Sequence, residues 1–264
     1  MVTHSSPYKK LLVSGCSFTA QSKNANYPFS WANVLAARTG MDVINLAVPG
    51  AGNSHISNSI ILYLERNKLN LDETLILIMW TGPSRFDWIT DKDKSNGNSY
   101  SFSYYYDDYN ELTVAGNWLR SAYSPKSHKT HLTETMVQYS KYQSESSLAL
   151  QSWLAITNLN NYLKLHKYKF YQTTFLDLKE NPVYKDALPI HFYKELDKLN
   201  LTLDKTSWLK LQNKEYYGEW AKANKCLMSD HFHPNCPEAS EKWVDTVLIP
   251  QLEIENIIFK LDSQ

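Results

Sequence analysis

The sequence has few cysteines and lacks both a long apolar run and a secretion signal. The three cysteines, Cys16, Cys226 and Cys236, are too few and odd in number for a disulfide scaffold, which favours a reducing compartment. No apolar run approaches the roughly 18 to 20 residues of a membrane helix. Residues 1–10 lack the apolar stretch and the small-residue cleavage site of a signal peptide. We therefore expect a cytoplasmic protein without a membrane segment.

The sequence also lacks an excess of charge of either sign. Lys plus Arg number 27 and Asp plus Glu number 27, so the formal net charge is zero. A protein that binds nucleic acid through its phosphates carries a basic excess or stripe, and none is visible, so no nucleic-acid partner is expected. With 43% hydrophobic and 20% charged residues the chain can build a core, which excludes wholesale disorder. Its 264 residues fit one large α/β domain spanning residues 1–264.

Strand and helix patterns alternate along the first third of the chain. The predicted elements are, in order, a strand over 10–15, a helix over 30–39 closed by Gly40, a strand over 42–47, a helix over 54–67 and a strand over 74–80. Continuous apolar strands joined by helices indicate a parallel sheet covered on both faces. The fold class predicted is therefore α/β, a three-layer α/β/α sandwich.

The same alternation returns in the second half. There the pattern predicts a helix over 146–166, a strand over 169–173, helical pieces over 192–199 and 205–211, and a closing helix over 237–255 with Pro250 as a candidate kink.

Residues 87–145 interrupt this alternation and are polar and rich in tyrosine. We interpret them as an insertion, with a small hairpin, that forms a cap over the C-terminal edge of the sheet, because so long a structureless loop is improbable in a compact domain. The tyrosines either pack the insertion itself or form an aromatic wall for a sugar or an acyl group. They are Tyr100, Tyr104, Tyr105, Tyr106 and Tyr109.

Small and hydroxyl-bearing residues follow all three strands predicted in the first third. They occupy 15–19, 45–53 and 80–85. In an open parallel sheet, ligands bind beyond the carboxyl ends of the strands, so we expect these three segments to meet at one edge.

The candidate chemistry combines Ser17 with a segment near the C-terminus. A serine nucleophile needs a base in hydrogen-bond reach and an acid to orient that base. Asp230 and His233 are three positions apart and can turn toward one point, whereas His231 directly adjoins Asp230 and is the less suitable base. Backbone N–H groups at the turn after Ser17 can stabilise an oxyanion. Cys16 is an alternative nucleophile, although a small buried cysteine is commoner.

A zinc site is the other chemistry that these side chains allow. Cys16, Cys226, Cys236, His231 and His233 are possible ligands, but no pair has the Cys-x-x-Cys spacing that makes such a site convincing. We therefore expect no metal and no organic cofactor.

These motifs resemble the SGNH (GDSL-type) hydrolase family from one end of the chain to the other. Residues 15–19 are similar to the family's first block, residues 45–50 match the Asn-x-x-x-x-Gly spacing of its second block, and residues 230–235 resemble the Asp-x-x-His-Pro block. The resemblance implies a flavodoxin-like fold and ester hydrolysis through an acyl-enzyme. It implies Ser17 as nucleophile, His233 as base, Asp230 as orienting acid, and the N–H groups of Ser17 and Gly50 in the oxyanion hole.

Two positions depart from the family pattern. Cys16 replaces the usual Asp beside the nucleophile. The third block, Gly-x-Asn-Asp in the family, has no Asn here, so its oxyanion contact would come from Thr81, Ser84, Arg85 or Asn53. Losing one such donor typically costs about 2.7 to 4 kcal/mol in the transition state.

The function expected is that of a serine esterase acting on small-molecule or carbohydrate esters, with carbohydrate O-acetyl groups as the favoured class. Two alternatives stay open: a non-catalytic carbohydrate-binding or structural module on the same scaffold, and an acyltransferase that uses an alcohol in place of water. The sequence leaves the oligomeric state undetermined.

Overall fold

The computed structural model has an α/β fold built around a parallel sheet. It describes residues 3–20, 30–48, 51–83, 85–91, 101–102, 112–118, 142–175, 178, 191–211, 215–226 and 237–261, and within 85–118 only the side chains of Arg85 and Asp87. In chain order the strands and helices are β1 (His4–Ser5), β2 (Lys10–Ser14), α1 (Trp31–Thr39), β3 (Asp42–Asn45), α2 (Asn53–Asn67), β4 (Thr74–Trp80), β5 (Arg85–Asp91), β6 (Ser101–Phe102), β7 (Leu112–Trp118), α3 (Glu145–Leu165), β8 (Lys169–Thr174), α4 (Phe192–Lys198), α5 (Tyr217–Ala223), α6 (Pro237–Trp243), α7 (Ile249–Ile254) and β9 (Phe259–Lys260). A 3-10 turn precedes β4 at Leu71–Glu73, and a π-helical turn joins α6 to α7 at Val244–Leu248.

The central sheet has the strand order β3-β2-β4-β8, and all its neighbouring strands are parallel. The chain moves from β2 through α1 to β3, and then in the opposite direction through α2 to β4. Because such crossovers are right-handed, α1 and α2 cover opposite faces of the sheet. Helix α3 packs beside α2, whereas α6 packs on α1. The predicted three-layer α/β/α fold is confirmed, and the strand order follows the flavodoxin-like pattern.

In the first third of the chain, the residues whose types signal helix ends lie at the ends of α1 in the structure, and the apolar run over 74–80 forms a buried strand. The side chain of Ser30 caps α1 by accepting a hydrogen bond from the N–H of Ala32 at 3.3 Å. At its other end, Gly40 adopts the left-handed conformation with φ 74° and donates to the carbonyl of Ala36. Strand β4 is buried along its whole length, as expected of a strand covered on both faces.

The helix predicted over 205–211 is wrong. This segment runs along the free edge of β8, where the N–H of Gln172 donates to the carbonyl of Ser207 and the N–H of Leu209 donates to the carbonyl of Gln172, both at 2.9 Å. The side-chain amide of Gln172 strengthens the contact, because it donates to the Ser207 hydroxyl and accepts from the indole N–H of Trp80, each at 2.8 Å. An edge strand needs partners for its backbone groups, and that need overrides the helical spacing.

The closing helix forms over most of the predicted range, but it is not regular. Helix α6 passes into the π-helical turn, in which the N–H of Ile249 reaches back to the carbonyl of Val244. Pro250 follows at once and has no N–H to donate. The widened turn therefore lies where the sequence places the candidate kink.

Two smaller sheets complete the described structure. Strands β1 and β9 pair antiparallel, so the two ends of the described chain lie side by side. Strands β5, β7 and β6 form a separate antiparallel sheet within the stretch interpreted as an insertion. The five tyrosines of residues 100–109 lie outside the described residues, and the capping role over 87–145 stays a prediction.

The described helices include none that is both long and apolar enough to cross a membrane.

Candidate active site

The ends of β2, β3 and β4 meet at one edge of the sheet, as predicted from the segments that follow them. The N–H of Leu46 donates to the carbonyl of Val13 at 2.8 Å, and the N–H of Val48 donates to the carbonyl of Gly15 at 3.2 Å. On the opposite side, the carbonyl of Met79 lies 3.1 Å from the place that a Cβ on Gly15 would take. The loops after the three strands therefore converge beside the residue that begins the Ser17 turn.

Ser17 lies in a tight turn directly after β2. The N–H groups of Thr19 and Ala20 both donate to the carbonyl of Cys16 at 2.9 Å, which closes the turn. Cys16 and Phe18 are buried, whereas Ser17 between them is partly exposed. The alternative nucleophile, the thiol of Cys16, is thus shielded from solvent, whereas Ser17 is the residue of this turn that solvent partly reaches.

Thr19 anchors the far end of this turn to the scaffold. Its carbonyl accepts hydrogen bonds from the Ser30 hydroxyl at 2.6 Å and from the Asn45 amide at 2.8 Å. Its own hydroxyl accepts one from the indole N–H of Trp31 at 3.2 Å. A Cβ on Gly15 would lie 2.4 Å from that hydroxyl oxygen, so glycine is required where the turn begins. Asn45, the first residue of the second motif, thereby helps to fix the serine turn.

A run of packed rings, here called the aromatic column, extends from the serine turn toward the C-terminal helices. Phe18 stacks on Phe175 with ring centroids 4.5 Å apart and meets the edge of Tyr217 at 6.2 Å. Tyr217 contacts Trp243 at 4.9 Å, and Trp243 meets the edge of Trp31 at 5.9 Å. Trp31 is itself hydrogen-bonded to Thr19, so this end of the column also contacts the turn that holds Ser17.

Hydrogen bonds fix the aromatic column to its helices. The hydroxyls of Tyr217 and Ser240 lie 2.7 Å apart and join α5 to α6. The N–H of Gly218 donates to the carbonyl of Phe175 at 2.8 Å, which places the start of α5 at the end of β8. Helices α5 and α6 are the two elements that flank residues 227–236.

Three of the predicted C-terminal residues fall in that flanked segment. Asp230, His233 and the rival base His231 lie outside the described residues. Their places in a triad with Ser17 stay predictions.

The predicted oxyanion hole is described in part. Gly50 and Ser84 lie outside the described residues. Thr81 is buried, and its hydroxyl has no hydrogen-bond partner among the residues that the structure describes. The amide of Asn53 accepts from the N–H of Thr81 at 2.9 Å and donates to the Thr81 carbonyl and to the Ser152 hydroxyl, both at 3.1 Å. Asn53 therefore joins α2 to β4 and α3, and its amide hydrogens point at protein acceptors rather than at a substrate.

Asp87 and Arg85, at the start of β5, hold the chain that follows the second motif. The carboxylate of Asp87 accepts hydrogen bonds from the N–H of Gly52 at 2.6 Å and from the N–H of His55 at 2.7 Å. Arg85 is buried and donates to the carbonyl of Ala51 at 3.3 Å. Burial raises the pKa of the Asp87 carboxyl to about 6, although the backbone N–H donors and the Arg85 cation act to lower it. Burial lowers the pKa of His55 to about 4, which keeps that imidazole neutral near pH 7.

Sequence reasoning named Arg85 only as a candidate donor and did not find Asp87. One local signal was available, because α2 begins after Gly52, which has no side chain with which to cap the helix. A helix start without a cap predicts an acceptor from elsewhere, but nothing in the sequence says that it comes from a strand in the interrupted stretch.

The described residues contain no group of three or more side chains arranged to hold a metal ion. Of the possible zinc ligands, Cys16 is buried and Cys226 is partly buried, while Cys236, His231 and His233 lie outside the described residues.

Comparison with known proteins gives distant structural similarities. No family model and no curated protein matches the chain. It is similar to an esterase, EstA, from Pseudoalteromonas sp. inhibited by monoethylphosphonate (12% identity, 93% of this chain and 99% of that one, TM-score 0.39). It is also similar to TesA (14% identity, 93% and 98%, TM-score 0.39) and to a member of the lipolytic protein G-D-S-L family from Veillonella parvula DSM 2008 (10% identity, 91% and 98%, TM-score 0.40). At such identities and TM-scores, neither family membership nor activity follows.

Proposed function

We propose that the protein is a serine hydrolase that cleaves carboxylic esters through an acyl-enzyme. Ser17 is the nucleophile, His233 the general base and Asp230 the acid that orients it. The observation that carries the proposal is the position of Ser17, the accessible residue of a tightly held turn at the carboxyl end of β2. Ligands of open parallel sheets bind at this edge.

The aromatic column supports the pairing of Ser17 with the C-terminal segment. Phe18, the residue after the nucleophile, contacts Tyr217 of α5, which in turn contacts Trp243 of α6. Helix α5 thus packs directly against the serine turn, and α6 is linked to it through Tyr217 and Trp31. These contacts of the two flanking helices support the proposed pairing of Ser17 with residues 230 and 233.

The reaction follows from the chemistry of the three side chains. His233 takes the proton of the Ser17 hydroxyl as its oxygen attacks the acyl carbon, and a tetrahedral oxyanion forms. The carbon–alcohol bond then breaks, and the leaving alcohol takes the proton from His233. Water attacks the acyl-enzyme with the same base, which releases the acid and restores Ser17. Asp230 stabilises the imidazolium in both steps.

The oxyanion contacts are the N–H groups of Ser17 and Gly50. The second motif lies against the serine turn, because the N–H of Val48 donates to the carbonyl of Gly15. Val48 precedes Gly50 by two residues, and Gly15 precedes Ser17 by two. Thr81 and Ser84 are the remaining candidates for the contact that the missing third-motif Asn would make. Each preorganised donor contributes roughly 10²- to 10³-fold to the rate.

Carbohydrate O-acetyl esters are the proposed substrate class. The tyrosine-rich stretch 87–145 supports this choice, since flat aromatic rings suit a sugar face. An acyl transferase would use the same Ser17 chemistry and would give an alcohol-derived ester in place of the free acid, so product analysis with an added sugar acceptor separates the two reactions.

Hydrolysis of p-nitrophenyl acetate tests the proposal with a matched pair of variants. Ser17→Ala removes the nucleophile and is expected to reduce kcat to the background rate. Ser5→Ala removes a hydroxyl at the pairing of β1 with β9 and should leave kcat unchanged. A fluorophosphonate adduct located at Ser17 by mass spectrometry supports the same assignment.

Equal rates for the wild-type chain and Ser17→Ala would contradict the esterase proposal. The missing third-motif Asn would then favour the non-catalytic carbohydrate-binding or structural module.

A further inference from the structure

The carbonyl of Thr19, at the end of the serine turn, is held by side chains of two other elements. The hydroxyl of Ser30, the residue that caps α1, donates to it at 2.6 Å. The side-chain amide of Asn45, the last residue of β3, donates to it at 2.8 Å. A carbonyl oxygen has two lone pairs, and both are used here. The end of the serine turn is therefore tied to the start of α1 and to the end of β3.

The polar groups around this carbonyl form a connected set of hydrogen bonds, here called the Asn45 network. The Asn45 amide nitrogen also donates to the Ser30 hydroxyl at 3.3 Å, and its amide oxygen accepts from the N–H of Ala47 at 3.0 Å. The Ser30 hydroxyl, which donates to Thr19, accepts a further bond from the N–H of Ala32 at 3.3 Å. Both side chains thus have partners as donor and as acceptor, and a network with satisfied members favours one arrangement of its parts.

Ser17, the proposed nucleophile, lies inside the segment that the Asn45 network holds. The N–H of Thr19 donates to the carbonyl of Cys16 at 2.9 Å, so Ser17 is enclosed in a hydrogen-bonded turn. Before Ser17, the carbonyl of Gly15 accepts from the N–H of Val48 at 3.2 Å. The turn is thus fastened at both ends to β3 and to the chain that follows it, and its own closing hydrogen bond restricts rotation within it.

We propose that Asn45 is a positioning residue, which keeps Ser17 in its reactive orientation by holding the far end of the serine turn. The inference rests on the proposed function and adds to it a residue that acts through Thr19 and not on the reacting atoms. Because misplacing a reacting group by about 1 Å can cost 10²-fold in rate, the loss of this anchor should lower the reactivity of Ser17.

The competing explanation is that Asn45 serves only the stability of the fold. A purely structural side chain changes the fraction of chains that are folded and leaves the reactivity of Ser17 in the folded chains unchanged. The rate at which a fluorophosphonate labels Ser17, divided by the folded fraction of the same sample, distinguishes the two roles. Mass spectrometry locates the adduct, so the measurement reports on Ser17 itself.

The first variant is Asn45→Asp in the full chain. The change keeps the size of the side chain but replaces the amide donor by a carboxylate oxygen, which repels the carbonyl of Thr19. We expect the labelling of Ser17 at pH 8 to slow roughly 10- to 100-fold. Asn67→Asp is the matched control, because the Asn67 amide donates to the carbonyl of Tyr63 at 2.8 Å at the exposed end of α2. This control should be labelled at the wild-type rate.

The pH dependence of Asn45→Asp is a readout that a structural role would not give. A protonated carboxyl regains an O–H that donates to Thr19, and a partly buried place beside a carbonyl favours that neutral form. The labelling rate of the folded variant, relative to wild type at the same pH, should therefore recover as the pH falls from 8 to 5. Asn45→Ala has no donor at any pH, so its relative rate should stay low. A relative rate of Asn45→Asp that follows that of Asn45→Ala across this range would contradict the proposal.

A second pair of variants keeps the test decisive if Asn45→Asp does not fold. Ser30→Gly removes the other donor to Thr19, and glycine is nearly as good a helix cap as serine. Labelling should slow by a smaller factor than in Asn45→Asp, because Asn45 still holds the carbonyl. Ser144→Gly makes the same change at the cap of α3, where the serine side chain accepts from the N–H of Ser147 at 3.1 Å, and it should leave labelling unchanged.

The outcomes separate this inference from the proposed function. If the wild-type chain hydrolyses p-nitrophenyl acetate no faster than Ser17→Ala, the proposed function fails and the inference fails with it. If hydrolysis depends on Ser17 but the folded Asn45 and Ser30 variants are labelled as fast as wild type, the inference alone is overturned. Slower labelling of these folded variants, with both controls unchanged and with recovery of Asn45→Asp at low pH, supports it.

Discussion

At the scale of single residues, two histidines compete for the role of base. His231 and His233 are separated by one residue in a segment that also holds Asp230. Adjacent residues of an extended segment point to opposite faces, so the sequence favours His233, three positions after Asp230, over His231, which directly adjoins it. The two residues therefore offer a matched pair of variants.

We predict that His233→Ala lowers kcat by roughly 10³- to 10⁴-fold, because Ser17 then has no base to take its proton. His231→Ala should keep kcat within a few-fold of wild type. Steady-state kinetics with p-nitrophenyl acetate measures both. The reverse pattern would assign the base to His231, and equal small losses would contradict a histidine base in this segment.

The limits of sequence reasoning at this scale are clear from Ser17 and Asp87. Ser17 follows a recognisable strand and glycine, so its place at the sheet edge could be predicted from local pattern alone. Asp87 acts on Gly52 and His55, more than thirty positions earlier, through a strand whose approach to α2 has no local signature. A buried carboxylate whose donors are backbone N–H groups leaves no side-chain motif to find.

At the scale of secondary-structure elements, the aromatic column joins the serine turn to α5 and α6. The stacking of Phe18 on Phe175 and its edge contact with Tyr217 are its first links. Aromatic pairs of this kind contribute about 0.5 to 1.5 kcal/mol each beyond the area they bury. The column thereby couples the position of Ser17 to that of the helices bracketing residues 227–236.

We predict that Phe18→Leu lowers both the free energy of unfolding, by about 1 to 3 kcal/mol, and kcat of the folded protein. The stability loss follows from the lost ring contacts, and the loss of kcat follows from a looser link between Ser17 and the segment that holds His233. Urea denaturation and ester hydrolysis measure the two effects.

Phe192→Leu is the control for this prediction. Phe192 is equally buried, but it lies in α4 and its ring contacts Tyr193. This variant should lose stability and keep kcat. If both variants lower kcat equally, general destabilisation and not the aromatic column explains the effect.

Elements with their own capping signals could be predicted from the sequence, and elements defined by a distant partner could not. Helix α1 has a serine at its start and a left-handed glycine at its end, and both are local. Residues 205–211 carry apolar side chains at helical spacing, yet the open edge of β8 binds their backbone instead. The choice depends on a strand that lies thirty residues earlier in the chain.

At the scale of the whole molecule, the side chains of Asp87 and His55 give stability opposite dependences on pH. The pKa of Asp87 is raised from 3.8 to about 6, so the folded state retains a proton that the unfolded state has lost, and the free energy of unfolding falls as pH rises through this window. The pKa of His55 is lowered from 6.5 to about 4, so the unfolded state takes up the extra proton, and stability falls as pH decreases. Between about pH 4 and 6 the two effects oppose each other.

We predict that Asp87→Asn removes the contribution of Asp87, so that the loss of stability caused by His55 at lower pH is no longer offset. Relative to the wild type, the variant should lose about 1.4 kcal/mol of unfolding free energy for each pH unit between pH 6 and 4.5. Urea denaturation at several pH values measures this difference, and Asp72→Asn, the same change at an exposed position before β4, should run parallel to the wild type. A difference that does not vary with pH would contradict the raised pKa of Asp87.

The buried indoles beside the serine turn have a practical consequence. The indole N–H of Trp31 donates a hydrogen bond to Thr19 in that turn, and its ring lies against Trp243. The rings of Trp31 and Trp243 are both shielded from water. Their fluorescence emission should therefore be blue-shifted in the folded chain and sensitive to small displacements of the turn that holds Ser17. The proposed acylation of Ser17 should therefore change this emission, which would follow the reaction in real time without a chromogenic substrate or an added label.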